Sequence, residues 1–176
     1  MFAIMTPKVM FDAAPFIISR DLNAPRKLVY AVQTDPKHLA NWLSPEGFKN
    51  IHTDMDFRVG GFYHYGLEGP NGMQMWGLQK YLEIVPEEKI VLIQSFSDKD
   101  RNLTRHPMAP DWPLEMLATT TFADLGAGKT RLTISWKPHQ SDEAGNRAFD
   151  AGRAGMTGGF GGTFAKLEEY LAKLQA

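Results

Sequence analysis

The spacing of apolar residues changes three times along the chain. Residues 16–22, FIISRDL, are a β-branched run closed by Asn23 and Pro25, and read as a strand. Asn23 is placed to cap a helix that has Pro25 at its first turn and Leu28, Val29 and Val32 on its apolar face. Thr34-Asp35-Pro36 restarts a second short helix carrying Leu39, Trp42 and Leu43, which Ser44-Pro45-Glu46-Gly47 ends. From about residue 50 the period becomes 2, with Ile51, Thr53, Met55 and Phe57 alternating with His52, Asp54 and Asp56. Turn residues at Gly60-Gly61, Pro70-Asn71-Gly72, 86–89 and 126–129 separate further strands over 62–67, 73–85, 90–96, 114–124 and 130–137. Residues 97–113, rich in Asp and Pro, read as a long loop.

The last change is back to helical spacing. Phe149, Arg153, Met156, Phe160, Phe164, Leu167, Leu171 and Leu174 recur every three or four residues, which predicts one C-terminal helix from about Ala148. Its first half carries Gly152, Gly155, Gly158, Gly159, Gly161 and Gly162. These suit a helix that approaches the sheet closely or frays at a kink, or else a movable wall over a cavity. For residues 76–84, Trp76, Leu78, Leu82 and Ile84 form the more apolar face, opposite Tyr81 and Glu83, and the pattern leaves open which of the two faces points inward. The order of strand, two short helices, six strands in an antiparallel meander and one long helix is an α+β fold. The only long helix must cover one face of a curled sheet, and a cavity remains wherever the two are not flush.

Composition narrows the class. The 176 residues suit one domain, here 16–176 preceded by an N-terminal extension over 1–15. Apolar residues at 43% and charged residues at 22% are globular values. Lys plus Arg at 19 against Asp plus Glu at 20 leaves no basic excess for nucleic-acid binding. The absence of cysteine excludes a disulfide framework, a thiolate zinc site and a Cys nucleophile. Pro7, Lys8 and Asp12 interrupt the N-terminal apolar stretch, a poor signal peptide, and no apolar run is long enough to span a membrane. A cytoplasmic protein is the expectation.

Several motifs carry a resemblance. Residues 20–30, RDLNAPRKLVY, and 35–42, DPKHLANW, resemble the strand-to-helix entry and second helix of START-like (SRPBCC) helix-grip proteins. Residues 57–61, FRVGG, and 81–91, YLEIVPEEKIV, resemble strand turns of the subfamily of activator of heat-shock-protein-90 ATPase homologues. Gly159-Phe160 followed by Phe164, Leu167 and Leu171 resembles that subfamily's C-terminal Gly-Trp helix, with Phe in place of Trp. The resemblance covers residue 16 to the end and implies a curved antiparallel sheet wrapped around the final helix. Gln94 stands where such proteins often have an aromatic residue, which implies a more polar cavity.

Other chemistry is sparse. Residues 125–130, LGAGKT, lack the first glycine of a phosphate loop and sit between two strands. The glycines at 155–162 do not follow a strand, so they are no dinucleotide fingerprint. His38, His52, His64, His106 and His139 form no metal-ligand spacing, and Asp54 with Asp56 read as surface carboxylates. No metal or cofactor is implied. The expected activity is binding of a small hydrophobic or amphipathic molecule. The candidate lining residues are Trp42, Phe48, Tyr63, Tyr65, Trp76, Gln94, Met116, Arg153, Met156 and Phe160. Arg153, alone among apolar positions, either snorkels out or orients an anionic or carbonyl-bearing ligand. The alternatives are a cyclase- or lyase-like enzyme using His64, Tyr63, Tyr65 and Arg153, or a co-chaperone contact. A monomer and a homodimer are both compatible with the sequence.

Overall fold

The computed structural model describes residues 12–176; the N-terminal stretch 1–11, most of the expected extension, lies outside the described residues. β1 (Phe16–Leu22) leads into α1 (Arg26–Thr34) and α2 (Pro36–Trp42). The strands β2 (Lys49–Asp56), β3 (Phe62–Glu68), β4 (Gln74–Val85), β5 (Lys89–Ser97), β6 (Met116–Gly126) and β7 (Lys129–Pro138) follow. α3 (Glu143–Ala151) and α4 (Arg153–Leu174) close the chain. The strands form one sheet in the order β1-β7-β6-β5-β4-β3-β2, every pair antiparallel. This is the helix-grip α+β architecture. Among the described residues no helix is long and apolar enough to cross a membrane.

Local chemistry explains the helix starts. The Asp35 side chain accepts from the Lys37 amide at 2.8 Å and Pro36 opens α2, as the sequence predicts. The expected Asn23 cap of α1 is not formed. Pro25 occupies the cap position without a side-chain bond, and its carbonyl accepts from the amides of Leu28 and Val29. The C-terminal helix is two helices, not one. α3 starts earlier than the spacing suggests because the Asp142 carboxylate accepts from the Gly145 amide at 2.8 Å. The break falls at Gly152, so Phe149 belongs to α3 and Arg153 opens α4.

The core is the contact of α4 with the inner sheet face. Phe164, Leu167 and Leu171 are buried and pack with Leu132, Ala118, Phe122, Leu92 and Ile90 from β7, β6 and β5. α1 and α2 add Val29, Val32, Leu39 and Trp42 to the same cluster. A second cluster joins Ala13, Phe16, Met116, Phe149 and Met156 at the start of α4. The glycines of α4 do not approach the sheet. A Cβ built at Gly155, Gly158, Gly159, Gly161 or Gly162 would meet nothing within 4 Å.

The apolar face expected for residues 76–84 holds for Trp76, Leu78 and Leu82, which lie on the outer face, but not for Ile84. The β4–β5 register shifts between Tyr81 and Glu83. Tyr81 continues the inner face of Gly77 and Gln79, 3% exposed, Leu82 points outward at 48% exposure, and the residue inserted there moves Glu83 outward and Ile84 inward. Ile84 returns to pack against the core. A period of 2 cannot see an inserted residue, so the apolar-face count fails there.

Leu167 is fully buried at the centre of the seam. Leu167→Ala should lower stability by about 2–5 kcal/mol, measured by urea unfolding. A loss under about 1 kcal/mol would mean the seam is not the core.

Candidate functional site

α4 fills only part of the trough formed by the inner sheet face. A cavity of about 230 Å³ remains, closed by α2 at one side. From the sheet it is lined by Tyr63 and Tyr65 of β3, Gln79 and Tyr81 of β4, and Ile90, Leu92 and Gln94 of β5. Ala118 and Thr120 of β6 and Leu132, Ile134 and Trp136 of β7 continue the wall. The helices contribute Gln33, Leu39, Trp42, Leu43, Phe160, Thr163, Phe164 and Leu167. None of these side chains is charged at neutral pH.

Register explains how the polar groups converge. Tyr63 pairs with Gln79, which pairs with Gln94, so one row across β3, β4 and β5 is polar and faces inward. Tyr65 pairs with Gly77, and its ring occupies the space where a Cβ on residue 77 would stand. A side chain at 77 would displace Tyr65. The rings of Tyr63 and Tyr65 stack at 5.1 Å.

Two buried polar atoms in this wall have no hydrogen-bond partner: the Tyr63 hydroxyl and Trp136 Nε1. Burial pushes the Tyr63 pKa far above the usual phenol value, helped by Tyr65 and only partly offset by the nearby Thr53 hydroxyl. Burial also raises Tyr65, opposed by Gln94, and raises Tyr81, helped by Tyr63 and Tyr30. All three are neutral phenols at physiological pH. Trp42 is already satisfied, since its Nε1 donates to the Val32 carbonyl at 2.9 Å.

A larger groove of about 910 Å³ adjoins the cavity along the glycine-bearing side of α4. The two share Leu43, Trp136, Phe160 and Thr163. Pro45, Met156, Gly158, Gly159 and Gly162 continue the groove, with Glu46, Lys166 and Glu169 among its lining residues. Lys166 Nζ donates to the Ser44 carbonyl at 2.6 Å and ties α4 to the α2–β2 connection.

The structure brings together part of the predicted set. Trp42, Tyr63, Tyr65, Gln94 and Phe160 line the cavity, and Met156 joins Phe160 in the groove. Met116 and Trp76 meet Tyr65 and Gln94 at a separate pocket of about 70 Å³ beside Trp112. Phe48 lies under Gly69 instead. Arg153 lines none of these spaces. Its Nε donates to Asp150 at 2.7 Å, its two terminal nitrogens donate to the carbonyls of Ala14 and Pro15, and its guanidinium covers the Phe149 ring. Sequence reasoning missed Gln33, Gln79 and Thr163, whose polarity argues for the outer face, and placed Thr120 on an inner strand face without singling it out. It also did not single out Trp136, which reads as plain core.

His64 is on the opposite sheet face. It is buried, stacks on Trp76 at 5.3 Å, meets His52 edge to face at 4.9 Å, and its Nε2 lies 3.0 Å from the Asp98 carbonyl. Burial lowers its pKa below the ordinary value of 6.5; the Asp98 carbonyl opposes this, while His52 and Arg101 add to it. Among the described residues no group of three or more His, Cys, Asp or Glu side chains is placed to hold a metal ion.

Residues 23–172 match the family model for Activator of Hsp90 ATPase homolog 1-like protein. Comparison with curated proteins finds no match. Among solved structures, a Nitrosomonas europaea protein aligns with TM-score 0.71 and 22% identity over 92% of this chain and 96% of that one. A Chromobacterium violaceum protein aligns with TM-score 0.66 and 26% identity over 90% and 96%. An Arthrobacter aurescens protein aligns with TM-score 0.74 and 23% identity over 92% and 87%.

Two measurements follow from this geometry. The folded chain binds a proton at His64 less readily than the unfolded chain does. The contribution of neutral His64 is therefore complete above about pH 6.5 and is lost as pH falls from there towards its folded pKa. Melting curves should show a steeper loss of Tm below about pH 6.5 in the wild type than in His64→Gln. Separately, Arg153→Met should lower stability by about 0.5–1.5 kcal/mol by releasing Ala14 and Pro15, a half-exposed clamp. It should leave cavity binding unchanged; a loss of binding would return Arg153 to the ligand site.

Proposed function

The chain belongs to the family of Activator of Hsp90 ATPase homolog 1-like proteins, and on that premise we propose that it binds a small hydrophobic or amphipathic molecule between the sheet and α4. One observation carries this reading: the cavity of about 230 Å³ is walled by apolar side chains yet holds an inward row of Tyr63, Gln79 and Gln94. A purely structural core would have little use for that row, since apolar packing alone does not satisfy polar groups turned inward. Ligand pockets have this composition, mostly apolar with a few oriented polar groups. The volume is below that of drug-sized sites, which points to a ligand with few heavy atoms in the enclosed part.

The cavity lining favours binding over proton transfer. His64 faces away from it, and its tyrosines have pKa values raised well away from neutrality, where general acids and bases work best.

Ala118 stands in the cavity wall, 7% exposed. Ala118→Leu should fill part of the space and weaken binding of the neutral dye prodan by about tenfold, read from its fluorescence. Native mass spectrometry of the purified wild type should show an adduct that this variant lacks. Equal dye affinity in the two proteins would overturn the proposal.

A further inference from the structure

Resting on the cavity-binding reading, we infer that the ligand is an uncharged amphiphile, with a carbonyl or ether oxygen in the inner cavity and a linear apolar tail in the groove along α4. The head group follows from what the wall offers. Trp136 Nε1–H is a donor only, and it is buried without a partner. It calls for an acceptor oxygen. Tyr63, a second lining residue, carries a buried hydroxyl that can donate or accept, with the Thr53 hydroxyl nearby. Gln79 and Gln94 add amides that serve either role.

Charge is excluded by the same wall. No cavity-lining side chain is charged, so an ionised head would lose its water without gaining a counter-ion. The cations nearby are already engaged. Arg153 holds Asp150 and two backbone carbonyls, and Lys166 donates to the Ser44 carbonyl. At the groove Lys166 is accompanied by Glu46 and Glu169, which disfavour an anion there.

The tail follows from continuity. Trp136 and Phe160 line both spaces and meet edge to face at 5.6 Å, so they stand at the junction. Beyond them the groove runs past Met156, Pro45 and the faces of Gly158, Gly159 and Gly162. Each of these glycines weakens α4 relative to alanine, and none is repaid by close packing among the described residues. A helix face without side chains leaves room for a flexible chain against the backbone.

Isothermal titration of the full chain at about pH 7.5, where a carboxylic acid is ionised, tests this. Decan-2-one should bind about tenfold or more tightly than decanoate. Trp136→Phe should weaken decan-2-one by about fivefold but leave propylbenzene, which has no acceptor oxygen, unchanged. A merely structural role for Trp136 would weaken both. Gly159→Leu, a substitution the open helix face accommodates, should weaken decan-2-one by about fivefold and spare hexan-2-one. Decanoate binding as tightly as decan-2-one, or Gly159→Leu affecting both ketones equally, overturns this inference while leaving cavity binding in place. No binding of any of the four probes overturns the cavity reading itself, and this inference with it.

Discussion

The seam of Phe160, Phe164, Leu167 and Leu171 against the sheet is the contact on which the remaining structure depends. Seven antiparallel strands present one broad face that must leave water, and α4 is the longest element able to cover it. Burial of those side chains supplies the apolar area that holds sheet and helix together. The seam also sets the limits of packing. A straight helix touches a curved sheet along a line, and the space at its flank becomes the cavity.

The two faces of the sheet are used differently. On the inner face, Tyr63, Gln79 and Gln94 stand in register and turn a core wall into a polar row. On the outer face, Trp76 lies over Gly66, stacks on His64 and meets His52 at a tilt, while the loop after β5 reaches back through the Asp98 carbonyl. The two faces meet at matched glycine–aromatic pairs in β3 and β4: Tyr65 over Gly77 inside, Trp76 over Gly66 outside. In each, an absent side chain on one strand makes room for a ring from the next.

Arg153 shows how a charge on an apolar stripe is accommodated. Its guanidinium finds Asp150, the carbonyls of Ala14 and Pro15, and the Phe149 ring, so it fastens the chain before β1 to the α3–α4 corner. With that cation committed outside, the cavity wall is neutral. It offers hydrogen-bonding groups and shape, and no counter-charge for an ion.

Much of this was legible in the chain. Turn residues at 60–61, 70–72, 86–89 and 126–129 marked the meander, and the spacing of Phe160, Phe164, Leu167 and Leu171 marked the covering helix, because both signals are local. Short motifs carried the family resemblance for the same reason. The rest depended on partners distant in sequence. Gln79 is polar in isolation, and only pairing with Tyr63 and Gln94 gives it an inward role. Glu83 and Ile84 exchange faces because of a bulge at Leu82, which no period of 2 reveals. His64 and Tyr63 are adjacent in the chain and so lie on opposite faces; which of them meets the cavity depends on the side α4 covers. Arg153 could be assigned only once the chain ahead of β1 was seen to pass beside it. The sequence determined which elements form and in what order, through local propensity and pattern. The tertiary structure decided which faces enclose the cavity, because that depends on register and on where one helix lies against seven strands.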